Sequence, residues 1–317
     1  PPPPPPTPIR GRGSEVAVWS SVRDSVRAGR RSPCPPVLPV PVVRRHVFVL
    51  SGGGARGAAQ AGAMASLLQA GIDPVGIVGC SVGALNGAFL AADPTCRRAE
   101  ALADRWAGLR RSDVFGGSRL STVRNVVTRR PALFSAEPLR RLVTDWLPVD
   151  TFDALAIPLR VVTTSLTTGR AVYHATGPLT DVLLASAALP GLFPPVQLPV
   201  GEATEQHVDG GVTDLVPVAG ALDLAPTDVW LLDVAATPGT GAWRVRSALD
   251  VLVASLAASM RCRPLPPLDG VTLHHVALGA AADGPAGLMD FTRSADLVVA
   301  GREVAAEAAA DGALTAA

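Results

Sequence analysis

The pentapeptide Gly79-Cys80-Ser81-Val82-Gly83 has the form GxSxG, which holds a serine on a tight turn between two glycines whose missing side chains let a strand and a helix come close. A hydroxyl so exposed can attack an acyl carbonyl. At the start of a helix the Val82 N–H and the positive helix end are placed to meet the oxyanion that forms, so the local chemistry is acyl transfer. Such a hydroxyl needs a base. Of the five histidines, His46 precedes a strand, His174 lies in a Thr- and Gly-rich hairpin, and His274 and His275 are neighbours in a strand pattern, pointing to opposite faces. These four read as structural or solvated. His207 stands two residues before Asp209-Gly210-Gly211, which reads either as an ordinary turn or as a carboxylate on glycine-permitted backbone, able to take the serine proton directly.

A second glycine motif, Gly52-Gly53-Gly54-Ala55-Arg56-Gly57, fits GxGxxG. A dinucleotide site would also need an acidic residue about 20 positions further on, closing the second strand, where this chain has Cys80-Ser81. Two readings remain, a glycine turn that packs a helix against a strand and a cradle of backbone N–H groups for an anion, and the cradle is the stronger.

Both motifs need strands to carry them. Residues 46–50 form a β-branched and aromatic run ahead of the glycine loop, and an Ala-rich helical pattern follows to Leu68. After a turn at Gly71-Ile72-Asp73-Pro74, a second apolar run over 75–79 leads into the serine motif and a helix to Ala92. Two successive β-loop-α units predict an α/β fold with a parallel sheet flanked by helices and functional residues at the carboxyl ends of strands. Further strands are expected over 159–164, 171–174, 229–234 and 271–278, with helices over 248–260 and 294–310. The Arg-rich stretch 106–138 is expected to form helices or a cap over the site.

Composition bounds the rest. In 317 residues with 48% hydrophobic and 17% charged, a buried core is available and a wholly disordered chain is excluded. All 28 basic residues are arginine. Residues 1–46 carry eight arginines against Glu15 and Asp24, with twelve of the 30 prolines, and read as a flexible or polyproline-like tail. Cys34, Cys80, Cys96 and Cys262 form no CxxC pair, so neither a zinc site nor a disulfide framework is expected, and a reducing setting fits. The stretch 74–92 holds Ser81, Asn86 and four glycines and makes a poor membrane span.

The glycine loop, the serine elbow and the later Asp-Gly-Gly, in that order, resemble the patatin-like phospholipase family. The segment Ala185-Ser186-Ala187-Ala188-Leu189-Pro190-Gly191-Leu192-Phe193-Pro194-Pro195 is similar to the stretch before that family's aspartate. The likeness runs from about His46 to about Ala306, giving a tail over 1–45, a catalytic domain over 46–306 and an Ala-rich end over 307–317. It implies a three-layer α/β/α fold with a mainly parallel sheet and a Ser-Asp dyad, with Ser81 the nucleophile and Asp209 the base. Gly52, Gly53 and Gly54 would form the oxyanion hole, and Arg56 would steady the loop or meet a lipid phosphate. Gly79, Val82 and Gly83 would shape the elbow, and Gly210 and Gly211 the aspartate turn.

The implied activity is hydrolysis of acyl esters of phospholipids, lysophospholipids or related lipids through an acyl-enzyme. The alternatives are acyl transfer to another alcohol and a non-catalytic lipid-binding or regulatory module. No cofactor, metal or nucleic acid is expected, and the setting implied is cytoplasmic with peripheral contact to a membrane surface. Two positions depart from the family pattern. Leu215 stands in the segment after the aspartate where an Asn is common, and Ser165 stands where many relatives carry an Asp, a change expected to loosen a turn or alter the rim of the site.

Overall fold

The computed structural model describes residues 43–116, 132–235, 251, 255, 258–260, 264–279 and 288–314. The chain runs β1 (His46–Leu50), a 3₁₀ turn (Gly54–Arg56), α1 (Gly57–Gln69), β2 (Pro74–Cys80), α2 (Val82–Ala91), α3 (Cys96–Gly108), α4 (Arg111–Val114) and α5 (Glu137–Trp146). It continues through β3 (Leu159–Ser165), β4 (Ala171–His174), α6 (Leu179–Ser186), β5 (Val196–Val200), β6 (Ala203–Asp209), α7 (Gly211–Asp214), α8 (Ala219–Leu222), β7 (Asp228–Asp233), β8 (Thr272–Ala277) and α9 (Ser294–Leu314).

The sheet order is β5-β6-β3-β2-β1-β7-β8, with β4 also paired to β3. Strands β3, β2, β1, β7 and β8 are mutually parallel, and β4, β5 and β6 bring the antiparallel pairings. The central strands are apolar on both faces, as a parallel sheet covered on both sides requires. Along β1, Phe48 and Leu50 join the large core formed with α1, α2, α3 and α9, while Val47 and Val49 join a smaller core closed by α8 and the segment around Leu268 and Val271. The expected three-layer, mainly parallel α/β fold is present.

Register explains where the site forms. Val161 pairs with both Gly79 and His174, so β2 and β4 occupy opposite edges of β3. Thr163 pairs with Val172 and with Asp209, so β6 takes over the edge that β2 leaves after Val162. Strand β2 runs up that edge and stops at Cys80, and β6 runs down it and stops at Asp209. The last residues of two distant strands therefore meet end to end.

Some elements differ from the sequence reading. The hairpin of β5 and β6 was not expected, and it makes Asp209 the end of a strand. The amphipathic helix α3, capped by the Thr95 side chain on the Arg98 N–H, occupies a stretch left unassigned. Helix α9 extends past Ala310 to Leu314 and runs unbroken through Ala306. Of the helix expected over 248–260, the described residues 251, 255 and 258–260 are helical. The remainder of it, most of the 1–45 tail, part of the Arg-rich stretch, Cys34 and Cys262 lie outside the described residues. Among the described residues no helix is long and apolar enough to cross a membrane.

Candidate active site

Ser81 lies between the end of β2 and the start of α2 with φ 54° and ψ −122°, a left-handed conformation that a side chain adopts only when its surroundings enforce it. The enforcement is visible. A Cβ at Gly79 would fall 2.6 Å from the Ala84 backbone and one at Gly83 would fall 2.4 Å from the Leu50 carbonyl oxygen, so only glycines let the helix sit this close to the strands. Ala84 and Leu85 donate their N–H groups to the Ser81 carbonyl at 3.0 and 3.3 Å. The Ser81 N–H donates to Ser186 Oγ at 2.9 Å, and Ser186 Oγ donates to the Val162 carbonyl at 2.7 Å.

The Ser81 hydroxyl donates to Asp209 Oδ2 at 2.7 Å. The other carboxylate oxygen accepts the Gly211 N–H at 2.7 Å and lies 3.9 Å from the Cys80 thiol. Asp209 is 1% exposed. Burial disfavours its charge and raises its pKa to about 6, although the bonds from Ser81, Gly211 and Cys80 pull the other way. Burial and the neighbouring Asp209 push the Cys80 thiol up, so it remains a protonated donor. Cys80 thus sits in the core as expected, yet it also touches the carboxylate. The backbone at Asp209 is fixed by its N–H donating to Ala188 O at 3.0 Å and by Thr164 Oγ1 donating to its carbonyl at 2.9 Å. The segment 185–195, noticed in the sequence only by resemblance, therefore grips both Ser81 and Asp209, through Ser186 on one side and Ala188 on the other.

The glycine loop packs against the elbow, since a Cβ on Gly52 would lie 3.3 Å from the Ser81 Cβ. Gly52, expected among the oxyanion donors, commits its N–H to the Leu215 carbonyl at 3.0 Å. That is a correction: the loop donors left are Gly53, just before the 3₁₀ turn, and Gly54, its first residue, whose N–H groups find no acceptor among the described residues. Gly54 has φ +59° and packs its Cα toward the Leu288 carbonyl, a place no side chain can share. Arg56 ends the turn, half-buried and engaged with its surroundings.

Gly54, Ser81 and Val82 form one wall of an apolar cavity of about 70 Å³, whose other walls include Trp106, Leu109, Phe115, Leu139, Phe193 and Phe291. A hydrocarbon chain fits such a lining, with the hydroxyl and the loop donors beside it.

The histidines lie elsewhere. His207 is buried, and its Nδ1 shares the Thr163 hydroxyl with His174 Nε2 at 2.8 Å each. Burial lowers both pKa values, to about 4 for His174, and His207 makes no bond to Ser81. His46 and His274 flank Trp230 at the opposite end of the sheet, where His274 bonds Asp228 at 2.9 Å. His275 bonds Asp233 at 3.1 Å, and that carboxylate raises its pKa. Among the described residues no group of three His, Cys, Asp or Glu side chains could hold a metal ion.

Both departures from the family pattern have a structural account. Leu215 packs its side chain against Gly52 and Gly211 and fastens the loop through its carbonyl. Ser165 accepts the Thr168 N–H at 3.2 Å and donates to Glu205 at 2.6 Å, so the hairpin turn is held rather than loosened.

Known proteins resemble this chain in sequence and in fold. The chain is 33% identical over 182 residues to an uncharacterized NTE family protein of Mycobacterium tuberculosis, covering 55% of this chain and 45% of that one. It is 29% identical over 206 residues to the rat patatin-like phospholipase domain-containing protein 7, covering 64% of this chain and 14% of that one. The chain therefore spans less than half the length of these relatives. The structure of VipD from Legionella pneumophila superposes over 84% of this chain and 67% of that one, at a TM-score of 0.44 and 14% identity. Residues 48–222, more than half of the chain, match the family model for patatin-like phospholipases, and the chain belongs to that family.

Proposed function

We propose that this chain is a serine acyl-hydrolase that cleaves acyl esters of phospholipids, lysophospholipids or related lipids at a membrane surface it contacts peripherally, in a cytoplasmic setting. The observation that carries the reading is the 2.7 Å bond from the Ser81 hydroxyl to Asp209, made beside an apolar cavity and from a strained elbow. Ionised Asp209 takes the Ser81 proton as Oγ forms a bond to the acyl carbon. The carbonyl electrons move onto oxygen, and the oxyanion is held by the Gly53, Gly54 and Val82 N–H groups. As the tetrahedral intermediate collapses, the ester C–O bond breaks and the leaving alkoxide takes the proton back from Asp209. Water then attacks the acyl-enzyme, giving its proton to Asp209, and Ser81 leaves with that proton as the free acid is released.

The acyl chain lies along the aromatic and aliphatic walls, which exclude water from the reacting centre. Arg56 is placed in the turn that carries the donors, where it steadies the loop or meets a lipid phosphate. The test is release of fatty acid from mixed phospholipid vesicles and from nitrophenyl esters, with a chelator present throughout. The reading expects wild-type activity that the chelator leaves unchanged and that Ser81→Ala abolishes. Activity that survives Ser81→Ala, or that the chelator removes, would refute it.

A further inference from the structure

The glycine loop leaves the sheet at Ser51 and enters α1 at Gly57, and both ends are tied to one buried pair of amides. Gln60 Nε2 donates to the Ser51 carbonyl at 2.9 Å and to the Leu232 carbonyl at 3.1 Å, pinning the start of the loop against the end of β7. Asn86 Nδ2 donates to the Gly57 carbonyl at 2.9 Å, pinning the end of the loop, and to Gln60 Oε1 at 3.1 Å. The Trp106 indole N–H donates to Asn86 Oδ1 at 2.8 Å. Gln60 and Asn86 are wholly buried and Trp106 is 2% exposed.

Each amide hydrogen in this chain is used once and each amide oxygen accepts once, so the donors all run one way, from Trp106 through Asn86 and Gln60 to the loop carbonyls. A side-chain amide can be turned over with little change of shape, and only its partners decide which end donates. The indole, a donor and never an acceptor, fixes the direction at one end, and the Ser51, Leu232 and Gly57 carbonyls, acceptors and never donors, fix it at the other. Turning Asn86 over would present its oxygen to the Gly57 and Gln60 oxygens, releasing the Gly57 end of the loop and leaving Gln60, which holds the Ser51 end, without its donor. Trp106 is also a wall of the apolar cavity beside Ser81.

We infer that Trp106, Asn86 and Gln60 are positioning residues for the acyl-transfer step: their one-way hydrogen-bond chain sets the Gly53 and Gly54 donors, and it links the wall of the acyl cavity to the oxyanion hole. This rests on the hydrolase reading above. None of the three touches the reacting atoms; they act by holding the loop. Oxyanion donors are worth about 10²–10³-fold each when removed, and a loop left loose at either end loses part of that.

The test uses the full chain and p-nitrophenyl acetate, whose acyl group is too short to explore the far walls, together with an alkyl trifluoromethyl ketone, whose hemiketal oxyanion occupies the hole. Trp106→Phe removes the indole donor and keeps an aromatic wall. Gln60→Met removes the amide and keeps the length. Trp146→Phe is the packing control, since Trp146 stands edge-on to Trp106 at 6.1 Å without joining the chain of bonds. The expected result is a fall in kcat of about 10- to 100-fold in the first two variants with KM within twofold, a ketone Ki that rises in the same proportion, and Trp146→Phe near wild type. Folded Trp106→Phe and Gln60→Met proteins with kcat and Ki within twofold of wild type would overturn the inference, as would equal losses in Trp146→Phe. A wild type that neither turns over the ester nor binds the ketone would overturn the hydrolase reading itself, and this inference with it.

Discussion

In the proposed reaction Asp209 works under two opposed demands, being buried deeply enough to disfavour its charge and yet needing that charge to accept the serine proton. Its pKa of about 6 is the compromise, and it is expected to set the pH dependence of the proposed activity. The rate of ester cleavage is expected to rise with pH, to be half-maximal near 6 and to level off above it, and a pH–kcat/KM profile measures this. Stability should move the opposite way. A carboxyl whose native pKa is raised contributes stability that is full below its unfolded pKa, near 3.8, and that is lost as pH rises through about 6. Asp209→Asn should therefore melt several degrees higher than wild type at pH 8, by up to about 3 kcal/mol, and gain nothing at pH 4. Thermal melts at the two pH values decide it. His207, the other candidate base, is tied to Thr163 and held at a lowered pKa, so His207→Gln should keep activity within about threefold of wild type.

At the scale of elements, the site is an encounter between the ends of β2 and β6 on one edge of β3, clamped by the end of α6 and the turn that follows it. Ser186 is the clamp's contact with the elbow. Ser186→Ala would leave the buried Ser81 N–H without its acceptor, so it is expected to cost about 1–3 kcal/mol and to lower kcat about tenfold with little change in KM, as denaturant melts and steady-state kinetics would show. A stable Ser186→Ala protein with full kcat would show that the elbow holds itself. The serine motif and the first two β-α units were legible because their signals are local: short apolar strands, glycines at fixed offsets and helices of small residues. The β5–β6 hairpin was not, because Val196–Val200 and the first half of β6 are largely exposed and mixed in polarity, and the pairing of the end of β6 with β3 joins residues more than forty positions apart. Ser186 and Ala188 stood in a segment that the sequence brought to notice by resemblance alone, since a serine that accepts a backbone N–H carries no spacing signature. Gly52 shows the converse: three consecutive glycines look equivalent in sequence, and only the Leu215 carbonyl distinguishes the one whose N–H is already committed.

For the molecule as a whole, a parallel sheet covered on both faces presents its carboxyl edge as the natural place for a site, and the glycine loop, the elbow and the cavity gather there. The ionic and aromatic cluster of Arg44, Asp228, His274 and Trp230 lies at the other end of the strands, where its bonds tie β1, β7 and β8 together. The central claim is that Asp209 alone activates Ser81. The most direct measurement is the rate at which an alkyl fluorophosphonate modifies Ser81 between pH 4.5 and 9, read by intact mass and peptide mapping, in wild type and in Asp209→Asn. A single adduct on Ser81 is expected, with a wild-type rate that climbs through a midpoint near 6 and an Asp209→Asn rate at least about 100-fold lower with no step in that range. An Asp209→Asn protein that reacts as fast as wild type, or an adduct on another residue, would contradict it.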